Sequence, residues 1–225
     1  MKRIAYLLLC IIPFASLSSC ALEPGGMDID PKQNLYLATT VRNDTLGFNY
    51  AFRSDGGYNL FPISLPQSYT PVEGQRVMLI GYCAYSLNLN KGDSAFHVSQ
   101  IEDVLTKQIT DLTGTGPNAR LEMGKDPITP VEIWKGGGYI NITFQVKSTN
   151  TVTHTVNLVY DPEDQDNLEE GCIRLSLLHN SNGDSGPGDI MEGIVSFKLG
   201  DDLPKKYVIK ALTLDNTEKE DILDL

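Results

Sequence analysis

The sequence predicts an all-β protein in two parts, a small five-stranded barrel followed by an antiparallel β-sandwich. Three observations predict it. Apolar residues alternate with period two along nearly all of the chain after residue 34, as in strands that bury one face. No segment carries a sustained 3.6-residue apolar repeat, so no long helix is expected. Residues 110–130, dense in glycine and proline, separate two alternating regions, as a domain linker does.

The first region begins with Leu35-Tyr36-Leu37 and runs to Val41. Asn43-Asp44 supplies a turn, and Phe48, Tyr50 and Phe52 mark the second strand. Asp55-Gly56-Gly57 is a hairpin signal leading into Tyr58 to Phe61, because such residues accept the positive φ of a tight turn. Arg76 to Leu87 reads as one long strand with Val77, Leu79, Cys83 and Tyr85 on a single face. Gly81 in its middle predicts a bulge or sharp bend, as a barrel needs to turn a corner. After the Lys91-Gly92-Asp93 turn, Ala95 to Leu105 continues as a strand, ending as a strand or a helical turn. Five strands with one long and bent fit a Greek-key barrel of the OB type over residues 34–109.

In the linker, Gly114, Gly116, Pro117, Gly124, Pro127 and Pro130 break the pattern. The second region, residues 131–225, alternates more cleanly. Ile140, Ile142, Phe144 and Val146 form one face, opposite Asn141, Thr143, Gln145 and Lys147. Val152, His154, Val156 and Leu158 follow, then Ile173, Leu175 and Leu177, then Met191, Val195 and Phe197. Tyr207 to Leu214 and Glu218 to Leu223 close the series as a hairpin across Asp215-Asn216. Strands at this spacing, punctuated by Gly, Pro and Asn, predict the sandwich.

Before either region lies an export address. Lys2 and Arg3 precede an apolar run from Ile4 to Phe14, too short for a membrane span and typical of a secretory signal over residues 1–19. Leu17-Ser18-Ser19-Cys20 resembles a bacterial lipobox, in which the cysteine is acylated and becomes the first mature residue. Several acyl chains at roughly 0.8 kcal/mol per buried CH₂ give lasting attachment. Residues 20–33, with Glu23, Pro24, Gly25, Gly26 and Pro31, read as the tether from the lipidated Cys20. The expected location is the cell envelope, at the outer membrane, facing the periplasm or the exterior.

The formal net charge is −11, and losing Lys2 and Arg3 with the signal makes it −13. Such a chain is repelled by nucleic acid and anionic headgroups, so nucleic acid is not an expected partner. Solubility alone also accounts for the charge. Of four cysteines, Cys10 leaves with the signal and Cys20 takes the lipid. Cys83 and Cys172 both fall in apolar runs and read as buried thiols, although an oxidising compartment permits a bond between them.

The motifs carry a further message. Val72-Glu73-Gly74-Gln75-Arg76-Val77 opens the long strand, and Ile101-Glu102-Asp103-Val104-Leu105-Thr106-Lys107 precedes the linker. Ile133-Trp134-Lys135-Gly136-Gly137-Gly138-Tyr139-Ile140-Asn141-Ile142 begins the second part. With the lipobox, these residues resemble the NigD-like lipoproteins of Bacteroidetes along the whole mature chain. The resemblance implies an OB-like domain followed by a C-terminal β-sandwich, and its name derives from an assignment as bacteriocin immunity protein. The acidic stretch near residue 161 has no counterpart in that pattern. Glu23, Asp28 and Asp30 after the cysteine are compatible with the surface-export signal of some Bacteroidetes lipoproteins.

Around Gly136, Gly137 and Gly138 two readings stand. The glycines permit positive φ in a turn packed by Trp134 and Tyr139, or they let a ligand approach a platform made by those two aromatics. The Gly-Lys-Ser/Thr ending of a phosphate loop is missing. Asp44-Thr45-Leu46 and Asp93-Ser94-Ala95 fit the O-glycosylation signal of exported Bacteroidetes proteins, which nominates Thr45 and Ser94 at turns.

Other chemistry is tempting but incomplete. Gly183-Asp184-Ser185-Gly186-Pro187 resembles a trypsin-like nucleophile motif with one glycine missing, and no Ala-Ala-His-Cys element accompanies it. Without a positioned base and oxyanion donors, Ser185 reads as a loop residue. His97, His154 and His179 show no metal-ligand spacing, and His154 and His179 fall on apolar faces. Asp161, Glu163, Asp164, Asp166, Glu169 and Glu170 lack the order of an EF-hand loop and read as a solvated turn. No metal and no cofactor are expected. The sequence thus predicts a non-enzymatic envelope lipoprotein that binds a protein or glycan. The alternatives are a bacteriocin immunity protein and, more remotely, an envelope serine hydrolase using Ser185.

Overall fold

Alternation becomes a closed barrel in the first region and two facing sheets in the second. The computed structural model describes residues 34–42, 47–87, 89–116, 118–201 and 203–224. The signal, the tether with Cys20, and Thr45 lie outside the described residues.

The barrel is built from β1 (Asn34–Arg42), β2 (Tyr50–Ser54), β3 (Asn59–Ser64), β4 (Arg76–Ser86) and β5 (Ser94–Asp103). Its strand order is β1-β2-β3-β5-β4, closed by β4 on β1. Only β3 and β5 run parallel. The expected OB-like barrel is therefore present. Its core holds Tyr36 and Ala38, Val77 and Leu79, Phe96 and Val98, each pair two residues apart, with Phe52 and Leu60. This is the period-two rule made physical, since alternate side chains of a strand point to one face. The Tyr36 ring meets Phe96 edge-on with centroids 5.4 Å apart, a favoured aromatic geometry.

Gly81 sits where the β4–β5 register shifts between Ile80 and Gly81. A Cβ there would overlap the carbonyl oxygen of His97 and come 2.9 Å from Phe96 Cε1, so the bulge needs glycine. A second shift between Cys83 and Tyr85 corrects the expected single face: Val77 and Leu79 are buried while Tyr85 is 52% exposed. Cys83 and Cys172 are both reduced and half-buried.

The sandwich comprises β6 (Leu105–Gln108), β7 (Thr110–Asp111), β8 (Thr129–Gly136), β9 (Tyr139–Ser148), β10 (Thr155–Tyr160), β11 (Cys172–Asn180), β12 (Asp189–Lys198), β13 (Lys206–Leu212) and β14 (Glu218–Asp224). One sheet has the order β14-β13-β11-β10-β7 and the other β6-β12-β9-β8. The core takes Ile140, Ile142, Phe144 and Val146 from one sheet and Leu158, Leu175, Leu177 and Ile209 from the other. Not every pairing is antiparallel: β6 runs parallel to β12, β7 to β10, and β11 to β13.

The boundary between the two units falls after Val104, not at residues 110–130. Both short strands β6 and β7 belong to the sandwich, one to each sheet. The supposed linker carries one turn of helix, α1 (Ala119–Glu122), and buries Leu112 and Ile128. Glycine and proline there shape loops between short packed pieces too brief to show a period. Ile128 is fully buried in the sandwich core, so Ile128→Ala is expected to destabilise the sandwich by about 2–5 kcal/mol. Chemical denaturation followed by Trp134 fluorescence measures it, and a linker residue would give almost no change.

The acidic stretch is less solvated than its composition implies. Asp161 accepts the amide of Glu163, starting a one-turn 3-10 helix at Pro162–Asp164. Asp161 also pairs with Arg120 at 2.9 Å, and Asp164 lies 3.6 Å from Arg174 and 3.9 Å from Lys210. Basic residues distant in sequence thus balance this turn. Among the described residues no three His, Cys, Asp or Glu side chains gather as metal ligands, and no helix is long and apolar enough to cross a membrane.

Candidate functional site

The acid–base residues of the sandwich converge at the end where β9, β10, β11 and β12 meet their loops. Antiparallel pairing of β10 with β11 sets Val156 opposite His179, so His154 falls two residues along on the same face as a diagonal neighbour. The His154 and His179 ring centroids are 5.0 Å apart, and His179 Nε2 lies 3.0 Å from His154 Nδ1. Beyond them, His179 Nδ1 is 3.0 Å from the carbonyl oxygen of Pro127, and His154 Nε2 is 3.0 Å from Asp184 Oδ2. Four separate chain segments therefore meet in one continuous line of hydrogen bonds.

Asp184 anchors the line. Its carboxylate accepts the Thr149 hydroxyl, the Thr149 amide at 2.8 Å and the Ser148 hydroxyl at 3.2 Å. Thr149 first, then His154 and Ser148, hold the carboxyl far below the usual carboxylate range against the opposing effect of burial. On the other side, Asp126 accepts the Ser181 amide at 2.7 Å, which lowers its pKa. Burial pushes the His179 pKa down, partly offset by its bond to Pro127. Asn182 adds a lacing contact by donating to the Thr153 carbonyl at 2.6 Å. Beside the line a cleft of about 200 Å³ is floored by Leu105, Phe144, Val146 and Val156, with Ser148 and His154 among its polar lining.

Ser185 does not join this line. It is exposed, and His154, bonded to the adjacent Asp184 through one nitrogen, turns the other to His179. Asp184, which the motif reading treated as part of a loop, is instead the tie between the loops. His97 stands elsewhere, stacked on Tyr82 at 4.8 Å.

Of the residues nominated from sequence, Gly136–Gly138 belong to the barrel unit. Gly137 and Gly138 have φ of +59° and +85°. A Cβ at Gly136 or Gly137 would collide with the Asp55 carboxylate, so the glycines make room for a buried ion pair. Arg76 donates to Asp55 through Nη1 at 2.5 Å and Nη2 at 2.9 Å, a two-pronged contact. Trp134 and Tyr139 are half-buried. Ser94 is a correction: it is fully buried at the start of β5 and donates to Cys83 Sγ at 3.4 Å. A sugar on that oxygen has no room in the folded barrel.

Residues 108–224 match the family model described as the NigD-like C-terminal beta sandwich domain. No curated protein matches the chain. Among solved structures, a protein named as toxin-related from Parabacteroides distasonis is 24% identical with a TM-score of 0.69, over 86% of this chain and 93% of that one. A NigD-like immunity protein from Bacteroides caccae is 19% identical with a TM-score of 0.60, over 84% and 91%. A protein named as a lipoprotein from Bacteroides fragilis is 12% identical with a TM-score of 0.61, over 86% and 98%. These likenesses show a shared fold across both units.

Proposed function

Because this chain belongs to the NigD-like family defined by that C-terminal β-sandwich domain, we propose that it is a lipid-anchored recognition module of the cell envelope. Acylated Cys20 holds it at the outer membrane, and the loops of its β-units bind a protein or glycan without chemistry of their own. The observation that carries this reading is the closed line from Pro127 through His179 and His154 to Asp184. These acid–base groups serve one another, fixing loops on a rigid sheet frame as recognition surfaces require. The acidic balance of the chain favours a neutral or basic partner. The structural likeness to a protein named as a lipoprotein agrees with the lipobox at Cys20.

Anchorage has a direct test. Cys20→Ala is expected to move the chain from the membrane fraction to the soluble envelope fraction, read by immunoblot after fractionation. Retention in the membrane fraction would contradict a lipid anchor at this residue.

A second reading is bacteriocin immunity by capture of the toxin or masking of its target. The likeness to a NigD-like immunity protein and to a protein named as toxin-related favours it. Deleting the gene should then sensitise cells to a toxin from a related strain and change little else.

A further inference from the structure

Hydrogen-bond chemistry fixes the number of protons on the histidine pair. The Pro127 carbonyl can only accept, so His179 Nδ1 carries a hydrogen. The ionised Asp184 can only accept, so His154 Nε2 carries one as well. What remains is His179 Nε2 facing His154 Nδ1 at 3.0 Å. With no proton between them two lone pairs oppose each other, and with two protons two N–H groups collide. The contact is a bond only when a single proton lies between the rings. The pair then carries three ring protons and one positive charge.

We infer that His154 and His179 share one proton, and that this proton latches the 149–154 loop and the Asp184 loop to the segment at Pro127, so that raising the pH opens this end of the sandwich. The inference stands whether the partner is a protein, a glycan or a toxin. Charged groups face the pair from the packed elements: Asp184 on the loop after β11, and Asp126 on the segment before β8. Both are anionic and favour the extra proton. His154 and His179 are otherwise enclosed, with His154 5% exposed at its side chain and His179 2% exposed overall.

The sign follows from the proton count. The latched state binds one proton more than a neutral pair, so its contribution is present at lower pH and is lost as pH rises through the pair's titration. Burial lowers the His179 pKa and so opposes any charge on the pair, while the bond to Pro127 and the Asp126 carboxylate act in the other direction. Without the shared proton the His179–His154 bond is lost, so the two loops, still joined to each other through Thr149, Ser148 and Asp184, lose this tie to His179 and the segment at Pro127.

The test is nitrogen-detected NMR of the imidazole rings in the full chain, combined with amide hydrogen exchange as a function of pH. Across a pH series through the ordinary histidine range, the pair should pass through a state with three ring protons, with His179 protonated at Nδ1. Above the titration, opening of residues 149–154 and 181–186 should rise by up to about tenfold per pH unit beyond intrinsic exchange. Asp184→Asn, which removes the facing charge, should shift that rise to lower pH. A pair that never shows the three-proton state anywhere in the series, or loop exchange that follows the intrinsic rate alone, would overturn the inference. The wild-type measurements decide it even if the variant does not fold.

Discussion

Gly81→Val is expected to destabilise the barrel by more than about 4 kcal/mol, in the range that only severe core or backbone defects reach. The Cβ alone would overlap the His97 carbonyl oxygen, and Phe96 Cε1 lies 2.9 Å away. Neither neighbour can yield cheaply. The carbonyl belongs to β5, where His97 pairs with Tyr82 across the ladder, and Phe96 is fully buried in the barrel core. Relief requires breaking the β4–β5 pairing, which carries the register shifts that bend β4 around the barrel. Hydrogen exchange on the full chain reads the effect: β4 and β5 amides should lose protection while those of β9 and β12 keep theirs. Unchanged protection in β4 would mean that the bulge tolerates a side chain and that its geometry does not require glycine.

Arg76→Met should cost the barrel about 3–5 kcal/mol, because it strands a carboxylate that is largely removed from water. The Arg76 side chain is 0% exposed and that of Asp55 16%. The guanidinium reaches Asp55 with both terminal nitrogens and also donates to Thr39 Oγ1 at 3.4 Å. Methionine retains the stem volume but leaves the acid without its cation. Adding Asp55→Leu to Arg76→Met should recover much of the loss, since a well-packed apolar pair is often as stable as a buried ion pair. A denaturation series on the wild type, both single variants and the double variant measures the coupling. Purely additive losses would show that the pair contributes through packing and not through charge.

Much of this fold is legible in the sequence where one residue dictates backbone geometry. Asp55-Gly56-Gly57 was readable as a turn, and the β2–β3 hairpin forms around it with Gly57 at φ +85°. Gly81 was readable as a bulge for the same kind of reason. The β13–β14 hairpin closes across Asp215 and Asn216, where Asn216 takes φ +60°. Long-range pairing was not readable in this way. Leu105–Gln108 joins β12, some ninety positions further on, and nothing local announces a partner that distant. Strands of two to four residues also leave too few alternations to show a period.

The candidate site was legible only in fragments. His154 and His179 were each recognisable as inward-facing residues at the end of an apolar face. What joins them is the β10–β11 register, which places Val156 opposite His179. Had the two strands been paired across the acidic turn, that diagonal contact was there to be found. Asp184 carried no such signal, because its role comes from the fold of the loop and from Thr149, 35 positions away. At Gly136–Gly138 the sequence left a turn and a platform open. Their close approach to Asp55 gives the glycines a steric reason that no local motif contains.

The central claim is that the anchor presents this chain to a specific envelope partner. It is tested most directly by cross-linking intact cells that carry the tagged native lipoprotein. Captured proteins and glycans are identified by mass spectrometry beside the Cys20→Ala form. The account predicts a partner recovered with the anchored chain and lost, or reduced at least about tenfold, with the unanchored one, since tethering raises effective concentration. Equal recovery with both forms, or none with either, would contradict an anchor-dependent recognition role.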